Sequence, residues 1–264
     1  MDIICKSYDT AVETLANWFQ CSKNYIADYL SYNWSEAFEM YLKHCLVQEN
    51  YDGYNTYFGE FLYYNINKPH TSINISDVRI HWFHGTRCLE KGVFDCGIQP
   101  LQEIFPYIKE MLDKLAFENG ILFQKENVDF KHFQNLIFYK FNNDGDKGPC
   151  AVLNYDTLIN PQKYGFHDYI KSPEIIEDYA YSVYGINGEE LLEIYRNITQ
   201  PAIVEFYTLA ENGNGMGIEH IIEILMEYVY YTLHNLEVGL TCNTCYTGHG
   251  KGIAKEQILN VYYI

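Results

Sequence analysis

His84, Gly85 and Thr86 form the short motif of this chain whose residue types best suit chemistry. They end an apolar and aromatic run that starts at Val78, and Gly97 closes a turn after a helix-like segment. A histidine at a strand end can donate to a ribose hydroxyl, and a glycine lets a ligand pair with the main chain. We therefore predict a small-molecule site here, of a kind that suits a nucleotide. The alternative is a satisfied, half-buried histidine followed by a turn glycine.

The motif is part of a longer pattern, residues 78–101, which reads VRIHWFHGTRCLEKGVFDCGIQPL. This stretch resembles the first motif of the ADP-ribosyltransferase superfamily, in its poly(ADP-ribose) polymerase-like, H-Y-E branch. The superfamily includes many bacterial toxins and phage-defence proteins. The resemblance implies an NAD-consuming transferase that modifies a protein or a nucleic acid. It also implies that His84 binds the nicotinamide-side ribose of NAD, that Gly85 pairs with the carboxamide and that Thr86 supports the turn.

The same resemblance implies a tyrosine that stacks on the nicotinamide ring. Residues 166–180, FHDYIKSPEIIEDYA, loosely resemble the corresponding region of the family, and Tyr179 and Tyr169 are the candidates. Because the chain contains 26 tyrosines, packing in the core is the alternative for either residue.

A glutamate on a late strand completes the family's site, where it holds a ribose hydroxyl and orients the acceptor. The late strands of this sequence offer Glu205 in IVEFY and Glu256 in IAKEQIL. Neither glutamate lies in a distinctive motif, and the related RNA 2'-phosphotransferases lack this residue. The choice between Glu205 and Glu256 stays open, and so does the choice between transfer, hydrolysis of NAD and binding alone.

Two other classes of function remain as alternatives to an enzyme. One is a catalytically degenerate module that binds a nucleotide or a protein without transferase activity. The other is an interaction protein in which the 26 tyrosines form an interface and the His-Gly-Thr motif is coincidental.

Two weaker motifs each have an ordinary structural interpretation. Gly213, Gly215 and Gly217 have the wrong spacing for a dinucleotide-binding fingerprint, and we expect a flexible loop. Cys242 and Cys245 with a nearby histidine have the spacing of half a zinc knuckle. Because a second pair of ligands is missing nearby, we expect ordinary cysteines and no metal.

Composition limits the classes of partner. The chain has 35 acidic and 18 basic residues, a formal net charge of −17, and no basic cluster that could coat DNA. A transient nucleic-acid substrate stays possible. The absence of a leader and of a long apolar run predicts no membrane segment. Eight scattered cysteines favour a reducing cytoplasm.

The elements that must position the motif are mixed helices and strands. Residues 1–75 read as a helical, Tyr-rich lead-in that suits a protein partner, and residues 76–264 as the ADP-ribosyltransferase-like domain. We predict strands ending at His84, over 150–153, over 201–209 and over 258–264, and a helix starting at Ser172-Pro173-Glu174 with Ser172 as its cap. Residues 130–141 are too rich in aromatics to assign. Because no regular βαβ alternation occurs, we expect an α+β fold, and the resemblance implies a split mixed β core flanked by helices.

Overall fold

The computed structural model describes residues 1–47, 57–68, 73–124, 131–143, 147–212 and 217–264. The chain divides into two discontinuous units. Unit 1 comprises Met1–His81, Leu153–Gly165 and Thr208–Thr244, and unit 2 comprises Trp82–Val152, Phe166–Tyr207 and Cys245–Ile264. The fold contains both helices and a largely antiparallel sheet, which agrees with the predicted α+β class.

The strands predicted over 150–153, 201–209 and 258–264 are confirmed to within one residue at each end. The strand predicted to end at His84 is present, but its predicted end is wrong, because Gly85 stays extended and the strand continues through the His-Gly-Thr motif to Cys88. In chain order the strands are β1 (Asp2–Ile3), β2 (Arg79–Cys88), β3 (Cys150–Val152), β4 (Gln200–Leu209), β5 (Cys245–Thr247) and β6 (Ile258–Tyr263). Hydrogen bonding orders them β5-β3-β2-β4-β6. Pairing of Phe83 with Val152 sets the antiparallel register of β2 and β3, and therefore the position of the residues that follow Phe83.

Strand β2 is buried on both faces before the motif begins. Ile80, His81, Trp82 and Phe83 are all buried, which explains why the sequence is nearly continuous in apolar residues rather than alternating. Burial on both faces gives the strand little freedom to slip, so the motif in its second half is held in place.

Helices of unit 2 form a core beside the sheet. They are α5 (Leu101–Glu118), α6 (Lys131–Asn142), α9 (Glu174–Tyr184) and α10 (Gly188–Ile198). Apolar residues of α5, α9 and α10 interdigitate in one buried cluster that includes Leu112, Ile176, Ala180 and Leu191. The aromatic-rich residues that the sequence left unassigned form α6, which packs against α9.

Helix α9 begins at Glu174, at the predicted start, but the predicted cap is wrong. Pro173 occupies the N-cap position, and no side chain among the described residues caps the helix. The hydroxyl of Ser172 is buried and has no hydrogen-bond partner in the described part of the chain. Proline at the cap position displaces the serine by one residue, so its hydroxyl cannot reach the free amides of the first turn.

Unit 1 is mainly helical. Its helices are α1 (Tyr8–Trp18), α2 (Lys23–Ser31), α3 (Trp34–Val47), α4 (Phe58–Asn65), α7 (Asp156–Ile159), α8 (Pro161–Tyr164) and α11 (Ile218–Leu233). Strand β1 pairs in parallel with Arg79 and Ile80 at the start of β2.

The helical character predicted for residues 1–75 is confirmed within the described residues, yet this segment does not make a body by itself. Helix α11, from far along the chain, packs against α1, α2 and α4. Gly59 permits the approach of α4 to α11, since a side chain there would overlap the carbonyl oxygen of Glu223. No helix in the described ranges is long and apolar enough to cross a membrane.

Candidate functional site

A cavity of about 710 Å³ lies within unit 2, beside the second half of β2. Its volume falls within the usual range for small-molecule sites. His84, Gly85 and Thr86 line it, together with Tyr169 from the segment before α9. Residues that the sequence separates by more than 80 positions therefore contribute to one cavity.

His84 is held in one tautomer by its neighbour in the sheet. Its Nδ1 atom lies 2.6 Å from the carbonyl oxygen of Cys150 on β3. Because a carbonyl only accepts, Nδ1 carries the proton and donates, and Nε2 of the neutral ring is left as an acceptor. Burial lowers the pKa of His84, and the smaller, opposing effect of this hydrogen bond does not reverse it. The ring can thus accept from a ligand hydroxyl, rather than donate as the sequence suggested.

The second glycine of the motif region, Gly97, is required by the backbone and by close packing. Its backbone has φ of +94°, and a Cβ atom would overlap the carbonyl oxygen of Ile253. The next residue, Ile98, forms an antiparallel bridge with Ile253. A glycine is therefore required where the chain turns into the apolar wall of the cavity. That wall comes from α5 and the turn before it, through residues such as Phe94, Leu101, Ile104, Ile108 and Met111.

Arg87 lines the same cavity but is held by the protein through four hydrogen bonds. Its guanidinium donates to the carbonyl oxygens of Ile170, Arg196 and Thr199, each at 2.8 Å, and to the Thr199 hydroxyl at 2.9 Å. It ties the end of β2 to the segments that precede α9 and follow α10. Arg87 is thus a brace of the cavity wall and not a free phosphate ligand.

Of the two candidate tyrosines, the structure brings Tyr169 to the cavity. The Tyr169 hydroxyl donates to Oε1 of Glu174 at 3.2 Å. Burial raises the pKa of Tyr169, and the nearby Glu174 and Cys150 raise it further. The phenol therefore stays protonated and remains a donor. Its proximity to Cys150 also places it near the residue that holds His84.

Tyr179 lies elsewhere, in the helical core of unit 2. Its hydroxyl and that of Tyr184 each donate to Oδ1 of Asp113 at 2.7 Å. Burial acts to raise the pKa of Asp113, but hydrogen bonds from Lys109 and the two tyrosines outweigh it and lower the pKa overall. Tyr179 thus packs in the core, as the alternative interpretation of the sequence predicted. It is not among the residues that line the cavity.

Neither predicted glutamate lines the cavity. Glu205 is buried on β4, where its Oε2 accepts from the Asn260 amide at 3.0 Å and from the Tyr262 hydroxyl. Glu256 is exposed in a single turn of 3-10 helix just before β6. Hydrogen bonding across β4 and β6 thus fixes Glu205 within the sheet, and chain geometry places Glu256 at the surface.

A carboxylate that sequence reasoning missed lies in the cavity instead. Glu174, at the first position of α9, lines it together with Lys140 of α6. Nζ of Lys140 lies 3.3 Å from Oε2 of Glu174 and 2.7 Å from Oδ2 of Asp178. Burial acts to lower the pKa of Lys140, but the two carboxylates outweigh it and raise the pKa overall. The sequence indicates Glu174 only as an acidic residue at the start of a helix, and it predicts no element for the residues that form α6.

The weaker motifs do not form a second site in the described residues. Gly213 and Gly215 lie outside the described ranges, and Gly217 is the residue before α11. Cys242 is buried, Cys245 is exposed, and no group of three or more potential metal ligands occurs in the part of the chain that the structure describes.

Comparisons with family models, with curated proteins and with solved structures found no match to this chain.

Proposed function

We propose that the cavity of unit 2 binds NAD and that the protein breaks the bond between ribose and nicotinamide, transferring ADP-ribose to a protein, a nucleic acid or water. The observation that carries this proposal is the meeting of His84, Gly85, Thr86 and Tyr169 at one cavity. The resemblance of residues 78–101 to the ADP-ribosyltransferases assigns the first three to NAD and calls for a tyrosine beside them. Tyr169 supplies that tyrosine, and an ADP-ribosyltransferase-like core is the corresponding proposal for the fold.

The chemistry follows from the geometry of the lining residues. Nε2 of neutral His84 accepts a hydrogen bond from a hydroxyl of the nicotinamide-side ribose, and Gly85 leaves its backbone open to the carboxamide. The aromatic ring of Tyr169 and the apolar wall from α5 suit the flat, weakly hydrated rings of the dinucleotide. Holding the sugar in one orientation lowers the barrier to loss of nicotinamide, because the reacting geometry is set before the bond breaks.

Charge limits where the diphosphate of NAD can lie. Arg87 and Lys140, which line the cavity, are already paired with protein acceptors. A diphosphate placed against them would compete with those contacts, so we expect it at the solvent side, with the nicotinamide end innermost. This arrangement requires no free cation inside the cavity.

A second candidate is a module that binds a nucleotide without cleaving it. The observation in its favour is that Glu205 and Glu256, the two predicted catalytic carboxylates, do not line the cavity. Binding would then use His84, Gly85 and Tyr169 alone.

One experiment separates the two candidates. The protein is incubated with NAD, free nicotinamide is measured by chromatography, and thermal unfolding is followed with and without NAD, since a ligand of the folded state raises its stability. Release of nicotinamide supports the enzyme, and a thermal shift without release supports the binding module. A folded protein that shows neither release nor a shift contradicts both.

A further inference from the structure

We infer that Glu174 is the catalytic carboxylate of this cavity and that Tyr169 and Lys140 hold it in position. The inference rests on the proposed cleavage of NAD and adds the residue that the sequence did not identify. The catalytic carboxylate then lies in the first turn of helix α9 and not on a late strand, which is where the resemblance places it.

Of the carboxylates in the described ranges, Glu90 and Glu174 line the cavity. Glu90 is exposed, whereas Glu174 is half-buried beside Tyr169. A carboxylate acts more strongly on a developing charge when water is partly excluded, because the local dielectric is lower. Glu174 therefore meets this condition better than Glu90.

Glu174 and Asp178 are four residues apart on α9 and so lie on the same helix face, with Lys140 between them. Lys140 is closer to Asp178, at 2.7 Å, than to Glu174, at 3.3 Å. Within this cluster one cation faces two carboxylates, and Glu174 is the carboxylate of the cluster that lines the cavity. The Glu174 carboxylate complements a cationic sugar, which is the species that departure of nicotinamide creates.

The Tyr169 hydroxyl donates to Oε1 of Glu174, and Lys140 lies against Oε2, so each carboxylate oxygen has a fixed partner. The carboxylate is thus restrained before the substrate arrives, and it needs no reorganisation during the reaction.

The bond between ribose C1′ and the nicotinamide ring nitrogen breaks, and its electron pair neutralises the positive charge of the ring. The resulting oxocarbenium ion is stabilised by the Glu174 carboxylate. An oxygen of water or of an acceptor hydroxyl then forms a bond to C1′, and Glu174 accepts the proton of that nucleophile and returns it to solvent. With water the products are nicotinamide, ADP-ribose and one proton.

The test compares Glu174→Gln with the wild type in the complete chain. The amide keeps the shape of the side chain and removes its charge, so we expect nicotinamide release to fall on the order of 100-fold. The thermal shift produced by NAD should persist, because binding does not depend on this charge. Glu190→Gln, at an exposed carboxylate of α10, is the matched control and should release nicotinamide at the wild-type rate.

Glu205→Gln and Glu256→Gln test the rival carboxylates in the same assay. If the wild type releases nicotinamide and Glu174→Gln releases it equally fast, the inference is overturned and the proposed function stands. Loss of release in either rival variant, while Glu174→Gln stays active, also overturns it. A wild type that binds NAD without release, or neither binds nor cleaves it, overturns the inference together with the transferase.

A second variant covers the case in which Glu174→Gln fails to fold, as judged by cooperative thermal unfolding. Glu174→Asp keeps the charge but withdraws it by one methylene, and we expect release intermediate between zero and the wild-type rate. Release equal to that of the wild type, from a carboxylate so displaced, would contradict a restrained catalytic role.

Discussion

The imidazole Nδ1 of His84 lies 2.6 Å from the carbonyl oxygen of Cys150, a contact between neighbouring strands that fixes both the ring and its tautomer. The contact follows from the register of β2 and β3, set by the pairing of Phe83 with Val152. The sheet therefore presents a neutral histidine with an acceptor nitrogen, and the pH dependence of stability can test this state.

Replacing His84 by alanine should flatten the dependence of stability on pH. Burial lowers the pKa of His84 in the folded protein, so the unfolded chain takes up a proton as the pH falls below about 6.5 while the folded chain does not. The contribution of the neutral ring is complete above that pH and declines below it. Urea unfolding at pH 7.5 and 5.5 should show a larger loss of free energy for the wild type than for His84→Ala. An equal or larger loss in the variant would contradict a buried neutral histidine.

Tyr169→Phe should lower the rate of nicotinamide release more than it changes the KM for NAD. The variant keeps the ring that lines the cavity and removes the hydroxyl that donates to Glu174. Loss of a hydrogen bond to a charged group costs about 1.5 kcal/mol or more, or at least roughly tenfold in rate if it is made fully in the transition state. Steady-state kinetics on Tyr169→Phe and Tyr169→Ala check this, and only the alanine should also raise KM markedly. A phenylalanine variant with unchanged kcat would argue against positioning by the hydroxyl.

Tyr179→Phe should affect stability and not the reaction. Its hydroxyl donates to Asp113 in the helical core, so the variant should lose about 1 to 2 kcal/mol of unfolding free energy. Nicotinamide release should equal that of the wild type when both are assayed well below their unfolding temperatures. Denaturant unfolding measures the first quantity, and a fall in the rate of release without loss of stability would return Tyr179 to the candidates for the site.

Glu227→Gln should stabilise unit 1 at high pH. Glu227 is buried on α11, and its carboxylate accepts from the Gly59 amide at 3.2 Å and from the Thr241 hydroxyl. Burial raises the pKa of Glu227. The contribution of this group to stability is therefore complete below pH 4.5, where it is neutral in both the folded and the unfolded chain, and is lost as the pH rises through the raised pKa. A glutamine can accept from Gly59 and donate to Thr241 without a charge. The advantage of the variant in unfolding free energy should grow from pH 4.5 to pH 8, and a constant difference would contradict it.

Features of the fold that depend on neighbours in sequence could be predicted. The apolar run before His84 predicts β2 because both faces of that strand are buried. The turn at Gly97 could be predicted because its positive φ is a local property, whereas the close approach of Ile253 that also requires glycine there could not. Pro173 and Glu174 mark the start of α9 for the same kind of reason, since proline and an acid suit a helix N-terminus.

Features that depend on distant packing could not be predicted. Nothing near Lys140 in the sequence indicates Glu174, because the two meet only when α6 packs on α9. The choice of Tyr169 over Tyr179 depends on which phenol the helical core encloses, and helical periodicity alone does not decide it. The division of the chain is equally non-local, since α11 joins helices from the first 65 residues in unit 1.

Release of nicotinamide from NAD by the purified chain, measured against time for the wild type and for His84→Ala, tests the central claim most directly. His132→Ala, at an exposed histidine of α6, serves as the matched control. We predict that the wild type and His132→Ala release nicotinamide at the same rate and that His84→Ala releases it at least tenfold more slowly while remaining folded. Equal rates for all three proteins, or no release from the folded wild type, would contradict an NAD-cleaving site at His84.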